Sequence, residues 1–143
     1  MSFYQRTLAQ PLSCVGIGLH SGKRVNLTIK PAAPNAGITF IRTDLPGRPE
    51  IKATVDNVVD TTLATTVGRN GTRVSTVEHL LAALAGMGID NAAIEVDAPE
   101  VPIMDGSAAP FIFLLKTVGT CVQAAPKQFI VIRRPVELRD GDK

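Results

Sequence analysis

The chain has 143 residues and a formal net charge of +2, with one Tyr and no Trp. A charge this small, without a stripe of basic residues or aromatic side chains for base stacking, argues against nucleic-acid binding. The N-terminal residues lack the apolar segment of a signal peptide, and no apolar stretch reaches the roughly 20 residues of a membrane span. We therefore expect a cytoplasmic globular protein in which both cysteines, Cys14 and Cys121, are reduced.

The first part of the chain is predicted to form β-strands. Apolar and polar residues alternate strictly in "RVNLTIKP" at 24–31, which is typical of a half-buried strand that ends at a proline. A less regular alternation recurs in three other segments, 4–9, 13–19 and 37–42. Short runs of Thr and Val, broken by Pro, Gly and Asn, follow at about 44–73. They predict a small antiparallel sheet inserted before the first helix.

Two amphipathic helices are predicted next, on either side of a strand at 91–96. The first begins with "STVEH" and ends at two glycines, Gly86 and Gly88. The second begins at Ser107, with a proline in its first turn and Gly119 at its end. This order of elements predicts an α+β fold, in which a mostly antiparallel sheet packs against the two helices.

The pattern changes near residue 125. The stretch "QFIVIRRPVELRDGDK" combines strand-forming residues, a proline bend and an Asp-Gly turn, and such a turn predicts a returning partner strand. We interpret residues 1–125 as one α+β domain, and residues 127–143 as the first strand of a second, truncated domain.

Glu78 and His79 lie side by side at the start of the first helix. Ser75, three residues before Glu78, completes a capping-box pattern, and a carboxylate there suits the positive end of the helix dipole. The alternative for Glu78 is a general base that acts on a metal-activated water. His79 is predicted about 160° around the helix from the apolar stripe, so it is either a surface histidine or a metal ligand. A catalytic zinc needs about three protein ligands, and the residues alone leave both alternatives open.

Two other residues precede glycines or a helix start. His20 lies in "VGIGLHSGK", which is no dinucleotide-binding fingerprint because a strand follows it rather than a helix. It is either a loop histidine near a site or an ordinary turn residue. Asp105, in "IMDGSAAPF", precedes a helix, where capping and turn formation explain an aspartate.

Five segments, taken in order, carry a family resemblance: "QRTL" at 5–8, "VGIGLHSGK" at 15–23, "RTDL" at 42–45, "STVEHLLAALAGMGIDN" at 75–91 and "EVPIMDGSAAPF" at 100–111. Together they resemble the zinc-dependent UDP-3-O-acyl-N-acetylglucosamine deacetylases of Gram-negative bacteria. The resemblance extends over nearly the whole chain. It implies a hydrolase that removes acetate from an acylated UDP-GlcNAc, the committed step of lipid A biosynthesis.

The resemblance also implies a domain arrangement. Members of this family have two similar sandwich domains with the active site between them, so this chain would be the N-terminal half. The other two zinc ligands and most substrate contacts would belong to the missing C-terminal domain. The chain alone would then hold Zn²⁺ weakly, be inactive, and expose an interdomain face that favours self-association. The alternative is a non-catalytic binding domain of the same fold, because one plausible ligand is present where three are needed.

For individual residues, the resemblance implies that His79 is a zinc ligand and Glu78 the general base. His20 corresponds to the family's loop histidine, with a supporting role near the site. Three consecutive residues correspond to the family's loop beside the zinc and the acyl passage: Thr62, Leu63 and Ala64. Asp105 matches a Met-Asp-Gly-Ser turn that we interpret as mainly structural.

Overall fold

The computed structural model describes residues 3–141. Within them, the strands are β1 (Tyr4–Leu8), β2 (Leu12–Ile17), β3 (Arg24–Pro31), β4 (Ile38–Arg42), β5 (Glu50–Lys52), β6 (Val58–Asp60), β7 (Thr66–Arg69), β8 (Thr72–Val74), β9 (Ala92–Val96) and β10 (Thr120–Pro126). The helices are α1 (Glu78–Gly86) and α2 (Ala109–Val118), and a short 3-10 turn occupies Val55–Asn57.

The main sheet has five strands in the order β2-β3-β9-β4-β5, and all neighbours are antiparallel except β4 and β9. Strand β3 shows that one face of the main sheet is buried and the other is exposed. Its apolar residues Val25, Leu27 and Ile29 are fully buried, whereas the residues between them face outward. Both helices contribute to the same apolar core as the sheet, through side chains such as Leu84 and Phe111. The predicted α+β fold is confirmed.

The insert is smaller than predicted. Strands β6, β7 and β8 form a separate three-stranded antiparallel sheet at 58–74. Residues Glu50–Lys52, which the sequence grouped with this insert, instead pair with β4 at the edge of the main sheet. Isolated three-residue strands have too short a pattern to indicate their partners, so pairing had to be decided by the tertiary structure.

The stretch after α2 contains a strand that the sequence analysis did not predict. Residues Thr120–Pro126 form β10 and pair antiparallel with β1, so that Leu8 lies opposite Thr120. Most side chains of β10 are exposed or half-buried, so no alternation marked it as a strand. The first and last strands of the described residues are therefore paired with each other.

Residues from Lys127 to Gly141 have no helix or strand, and nearly all of them are exposed. The strand predicted at 127–143 is therefore not formed in the described residues, and positions 142–143 lie outside them. A β-strand is defined by its partner, and no other strand in 3–141 offers one here. The membership of this segment in a second domain stays a prediction.

Neither helix in residues 3–141 has the length and apolar character needed to cross a bilayer. Both cysteines are free thiols: Cys14 is half-buried on β2 and Cys121 is exposed on β10. Burial raises the pKa of the Cys14 thiol above its ordinary value.

Candidate functional site

Helix α1 begins at Glu78, three residues after the Ser75 that the sequence assigned as its cap. The capping-box prediction is wrong. The Ser75 hydroxyl pairs with the Thr66 hydroxyl at 2.9 Å, and Val77 at the helix boundary makes no side-chain cap bond. The reason is the backbone of Thr76, whose φ of 58° turns the chain away before the helix starts. A left-handed β-branched residue costs about 1–2 kcal/mol, so surrounding contacts must hold it.

The Glu78 carboxylate is bonded across the chain rather than to its own helix. Its Oε2 accepts the backbone N–H of Thr65 at 3.0 Å, and the Thr65 carbonyl accepts the N–H of Val77 at 3.3 Å. These two bonds fasten the end of the loop that follows Asp60 to the start of α1. No hydrogen bond reaches Glu78 Oε1 within residues 3–141, so this oxygen is available to a ligand.

His79 lies next along α1 and does not share the core-facing side of Leu80 and Leu84, which are fully buried. His79 is half-buried. Its Nδ1 atom is inaccessible to solvent and has no hydrogen-bond partner among the described residues. A buried polar atom without a partner costs roughly 1–3 kcal/mol, so such atoms usually have a bound ion, water or ligand as partner. Within residues 3–141, His79 Nδ1 therefore lacks the partner that a buried ring nitrogen normally has.

The donor set tests whether a metal ion fits here. A neutral imidazole with an unpaired nitrogen suits zinc, and the neighbouring Glu78 adds a carboxylate oxygen. Residues 3–141 contain no group of three or more His, Cys, Asp or Glu side chains placed to hold a metal ion. By donor chemistry His79 and Glu78 fit one part of a zinc site, and a complete site would need further ligands.

A cavity of about 520 Å³ lies beside the start of α1. Its walls come from four segments: the loop after β2, residues 60–66, the connection between β8 and α1, and the segment after β9. The lining residues are His20, Ser21, Asp60, Thr62, Leu63, Ala64, Thr66, Ser75, Pro99 and Glu100. His20 and the 62–64 loop, which the sequence analysis selected separately, are thus brought to one cavity. Glu78 and His79 do not line it, although the Thr65–Glu78 bond joins the loop to them.

The 62–64 loop presents an apolar side chain from a fixed turn. Asp60 accepts the Thr62 N–H at 2.9 Å and the Thr62 hydroxyl at 2.8 Å, and these bonds lower the pKa of the Asp60 carboxyl. Leu63, at the tip, is 81% exposed. An exposed leucine held by a turn at a cavity rim can contact an apolar ligand.

Glu100 is the site residue that sequence reasoning missed. It is only 2% exposed, and its Oε1 accepts the His20 N–H at 3.0 Å and the Thr76 hydroxyl at 2.9 Å. Its Oε2 accepts the Ser21 N–H at 2.8 Å. Burial acts to raise the pKa of Glu100, but these hydrogen bonds outweigh it and hold the pKa below the ordinary value. Its sequence signals were its place between two prolines and its position as the first residue of the segment 100–111.

Asp105 lies outside the cavity. Its carboxylate accepts the N–H and the hydroxyl of Ser107, at 2.9 Å and 2.8 Å. This is a local turn before α2, which agrees with the structural interpretation of this residue.

A profile of the family described as "LpxC: UDP-3-O-acyl N-acetylglycosamine deacetylase" matches residues 5–143. The chain belongs to this family. It is 60% identical over 142 residues to the UDP-3-O-acyl-N-acetylglucosamine deacetylase of Myxococcus xanthus, covering 99% of this chain and 45% of that protein. The same-named protein of Methylococcus capsulatus is 58% identical over 139 residues, covering 97% of this chain and 46% of the relative. That of Shewanella halifaxensis is 57% identical over 141 residues, covering 98% and 46%.

The chain therefore spans a little less than half the length of these curated deacetylases. Membership in the deacetylase family confirms the resemblance drawn from the sequence motifs. The roles of Glu78, His79, His20 and the 62–64 loop stay predictions.

Proposed function

We propose that this chain is the N-terminal part of a zinc-dependent deacetylase that acts on UDP-3-O-(3-hydroxyacyl)-N-acetylglucosamine. Family membership and the 60% identity to a curated deacetylase support the proposal. In the reaction, the oxygen of water bonds to the acetyl carbon, the C–N bond breaks, and the nitrogen takes a proton. The products are acetate and a free amine on the sugar. This would be the committed step of lipid A biosynthesis, in the cytoplasm of a Gram-negative bacterium.

His79 would be one ligand of the zinc ion. The absence of a hydrogen-bond partner for its buried Nδ1 in residues 3–141 supports this assignment. Because no cluster of three potential ligands occurs in those residues, the other two ligands would come from a C-terminal domain. Zinc, when bound, supplies a Lewis acid that polarises the amide carbonyl and acidifies water.

Glu78 would be the general base. The Thr65 N–H holds its Oε2 in place, and the free Oε1 can take the proton from the attacking water. The bond to Oε2 orients the carboxylate and leaves Oε1 without a partner. A general base that acts on a positioned water requires both.

The cavity beside this helix start would receive part of the substrate. Leu63 would offer an apolar contact, Thr62 a hydroxyl and His20 a polar side chain, since all three line the cavity. We assign the 62–64 loop to the acylated end of the sugar, and His20 to a supporting role.

The experiment is an assay of acetate release by the longer protein that carries this sequence, with and without a chelator. Chelation should abolish turnover, and added zinc should restore it. Turnover that is absent, or indifferent to chelator, would refute the proposed activity. Acetate release with a substrate that lacks the 3-O-acyl chain measures how far the 62–64 loop contributes to binding.

The 143-residue chain alone should bind zinc weakly, because it offers at most two donors at His79 and Glu78. Equilibrium dialysis at neutral pH measures this affinity, and gel filtration shows whether the face carrying His79 self-associates. The incomplete donor set also supports the alternative of a non-catalytic binding domain. Tight, stoichiometric zinc binding or turnover by this chain alone would contradict our placement of the site.

A further inference from the structure

Glu100 joins two parts of the chain that carry the proposed functional residues. One part is the loop containing His20, and the other is the turn at Thr76, two residues before Glu78. Few carboxylates are buried to 2% exposure without a cation beside them, and no salt bridge to Glu100 occurs in residues 3–141. Three N–H and O–H donors take the place of a counter-ion here.

The loop side is built closely around the carboxylate. A Cβ atom at Gly18 would collide with the Ser21 hydroxyl and with Glu100 Oε2, so a larger residue there would have to displace these side chains. The Gly18 carbonyl accepts the Gly22 N–H at 3.0 Å, which closes the turn that presents the N–H groups of His20 and Ser21. The backbone N–H groups of His20 and Ser21 both donate to Glu100, so the carboxylate fixes the backbone of this loop.

The segment before α1 is also hydrogen-bonded to the residues around Glu100. Ser75 donates its N–H to the Pro99 carbonyl at 2.9 Å and accepts the Val101 N–H at 3.0 Å, which forms a parallel bridge at Glu100. Thr76, with its left-handed φ of 58°, is 3% exposed and donates its hydroxyl to Glu100. The strained turn that sets the direction of α1 is therefore held by this carboxylate.

We infer that Glu100 is a positioning residue for the proposed deacetylation: its carboxylate fixes the His20 loop and the Glu78–His79 helix start relative to one another. The inference rests on the proposed function for its catalytic consequence, whereas the structural link stands on the three hydrogen bonds. Glu100 does not itself take up or release the reacting proton. Its bond to the Thr76 hydroxyl fixes the direction of Glu78, and its bonds to the loop backbone fix the position of His20.

The first test is Glu100→Gln in the longer, zinc-loaded protein. The amide nitrogen cannot accept an N–H, so at least one of the three bonds is lost. We expect kcat to fall roughly 10- to 100-fold, because small displacements of a general base are costly. Asp97→Asn is the matched control. Asp97 also joins two segments, through Asn26, but it does not line the cavity, and kcat and KM should stay unchanged.

Thr76→Val tests the helix side with a milder change. It keeps the β-branched shape and removes only the hydroxyl bonded to Glu100, so kcat should fall. Thr76→Ser retains the hydroxyl and should lose less activity than Thr76→Val. Combined with Glu100→Ala, which removes all three carboxylate bonds, Thr76→Val should add little further loss, because the Thr76–Glu100 bond is already absent. Full additivity would overturn the route through Thr76.

Hydrogen–deuterium exchange separates this inference from the proposed function. Glu100→Gln should speed amide exchange in both 18–22 and 75–79, with or without turnover, and Asp97→Asn should not. Unchanged exchange in either segment would overturn the link. Faster exchange with an unchanged kcat would reduce Glu100 to a purely structural residue and overturn the positioning role. A wild-type protein without deacetylase activity would refute the proposed function alone, and exchange would still decide the link.

Discussion

The two helices begin in different ways, although they pack into one core. Before α2, every hydrogen bond of the turn is local: Asp105 accepts from Ser107, and the Ser107 hydroxyl accepts the Ala109 N–H at 3.1 Å. Before α1, the bonds are long-range and reach Thr65 and Glu100. The start of α2 is thus fixed by its own sequence, and the start of α1 by the segments around it.

This difference determines which polar groups at each helix start are left without a hydrogen-bond partner. A local cap consumes the polar groups of the first turn to satisfy the helix itself. At α1 the tertiary contacts hold the chain, so Glu78 Oε1 and the His79 ring are left for a ligand. The strained φ at Thr76 lies next to these groups, as backbone strain often does at functional sites.

The largest expected effect is that of Glu78→Gln. If Glu78 is the general base, kcat of the longer protein should fall about 10²- to 10⁴-fold, because the amide cannot take a proton. The Thr65 bond can be kept by the amide oxygen, so the melting temperature should change little. Measuring kcat beside thermal unfolding separates the two effects. Retained activity in Glu78→Gln would contradict a catalytic role for the residue at the start of α1.

The next effect is on zinc content. His79→Gln should lower zinc affinity by at least about 10-fold, since removal of a ligand costs more than removal of a supporting contact. Competition with a chromogenic chelator measures the affinity. His20→Gln is the control and should retain zinc, because His20 lies in the cavity wall without a proposed ligand role. Equal zinc loss in both variants would contradict the assignment of His79.

A smaller effect is expected at the start of α2. Ser107→Ala removes the bond to the Ala109 N–H and should cost about 1 kcal/mol of unfolding free energy. Urea denaturation measures the loss. Acetate release per folded molecule should be unchanged, since the turn lies outside the cavity. A clear drop in kcat would show that the turn before α2 also serves the site.

The smallest effect is on the pH dependence of stability. Glu100 has a folded-state pKa below its ordinary 4.5, so it stabilises the fold above that pH and loses this contribution as pH falls through the folded value. Urea midpoints measured from about pH 6 to about pH 3.5 should therefore fall less steeply in Glu100→Gln. Asp44, Asp60 and Glu95 also have lowered pKa values, so part of the slope should persist. An identical slope in variant and wild type would contradict the depressed pKa.

Sequence periodicity by itself determined the α+β class, β3, the body of both helices and their glycine ends. These features depend on neighbours within a few residues, as in Gly88 and Gly119 with their positive φ values. The motifs also identified the family, because long stretches such as 75–91 are specific. They located Glu78 and His79 at one helix start, and His20 in a separate loop.

Only the tertiary structure decided which segments meet. Strand β10 is visible only through its pairing with β1, and Glu100 gains its importance from donors at His20, Ser21 and Thr76. The capping box failed at Ser75 for the same reason, since long-range contacts outweighed a local bond of about 1 kcal/mol. Sequence patterns record local preferences, whereas the free energy of bringing distant polar groups together exists only in the folded chain.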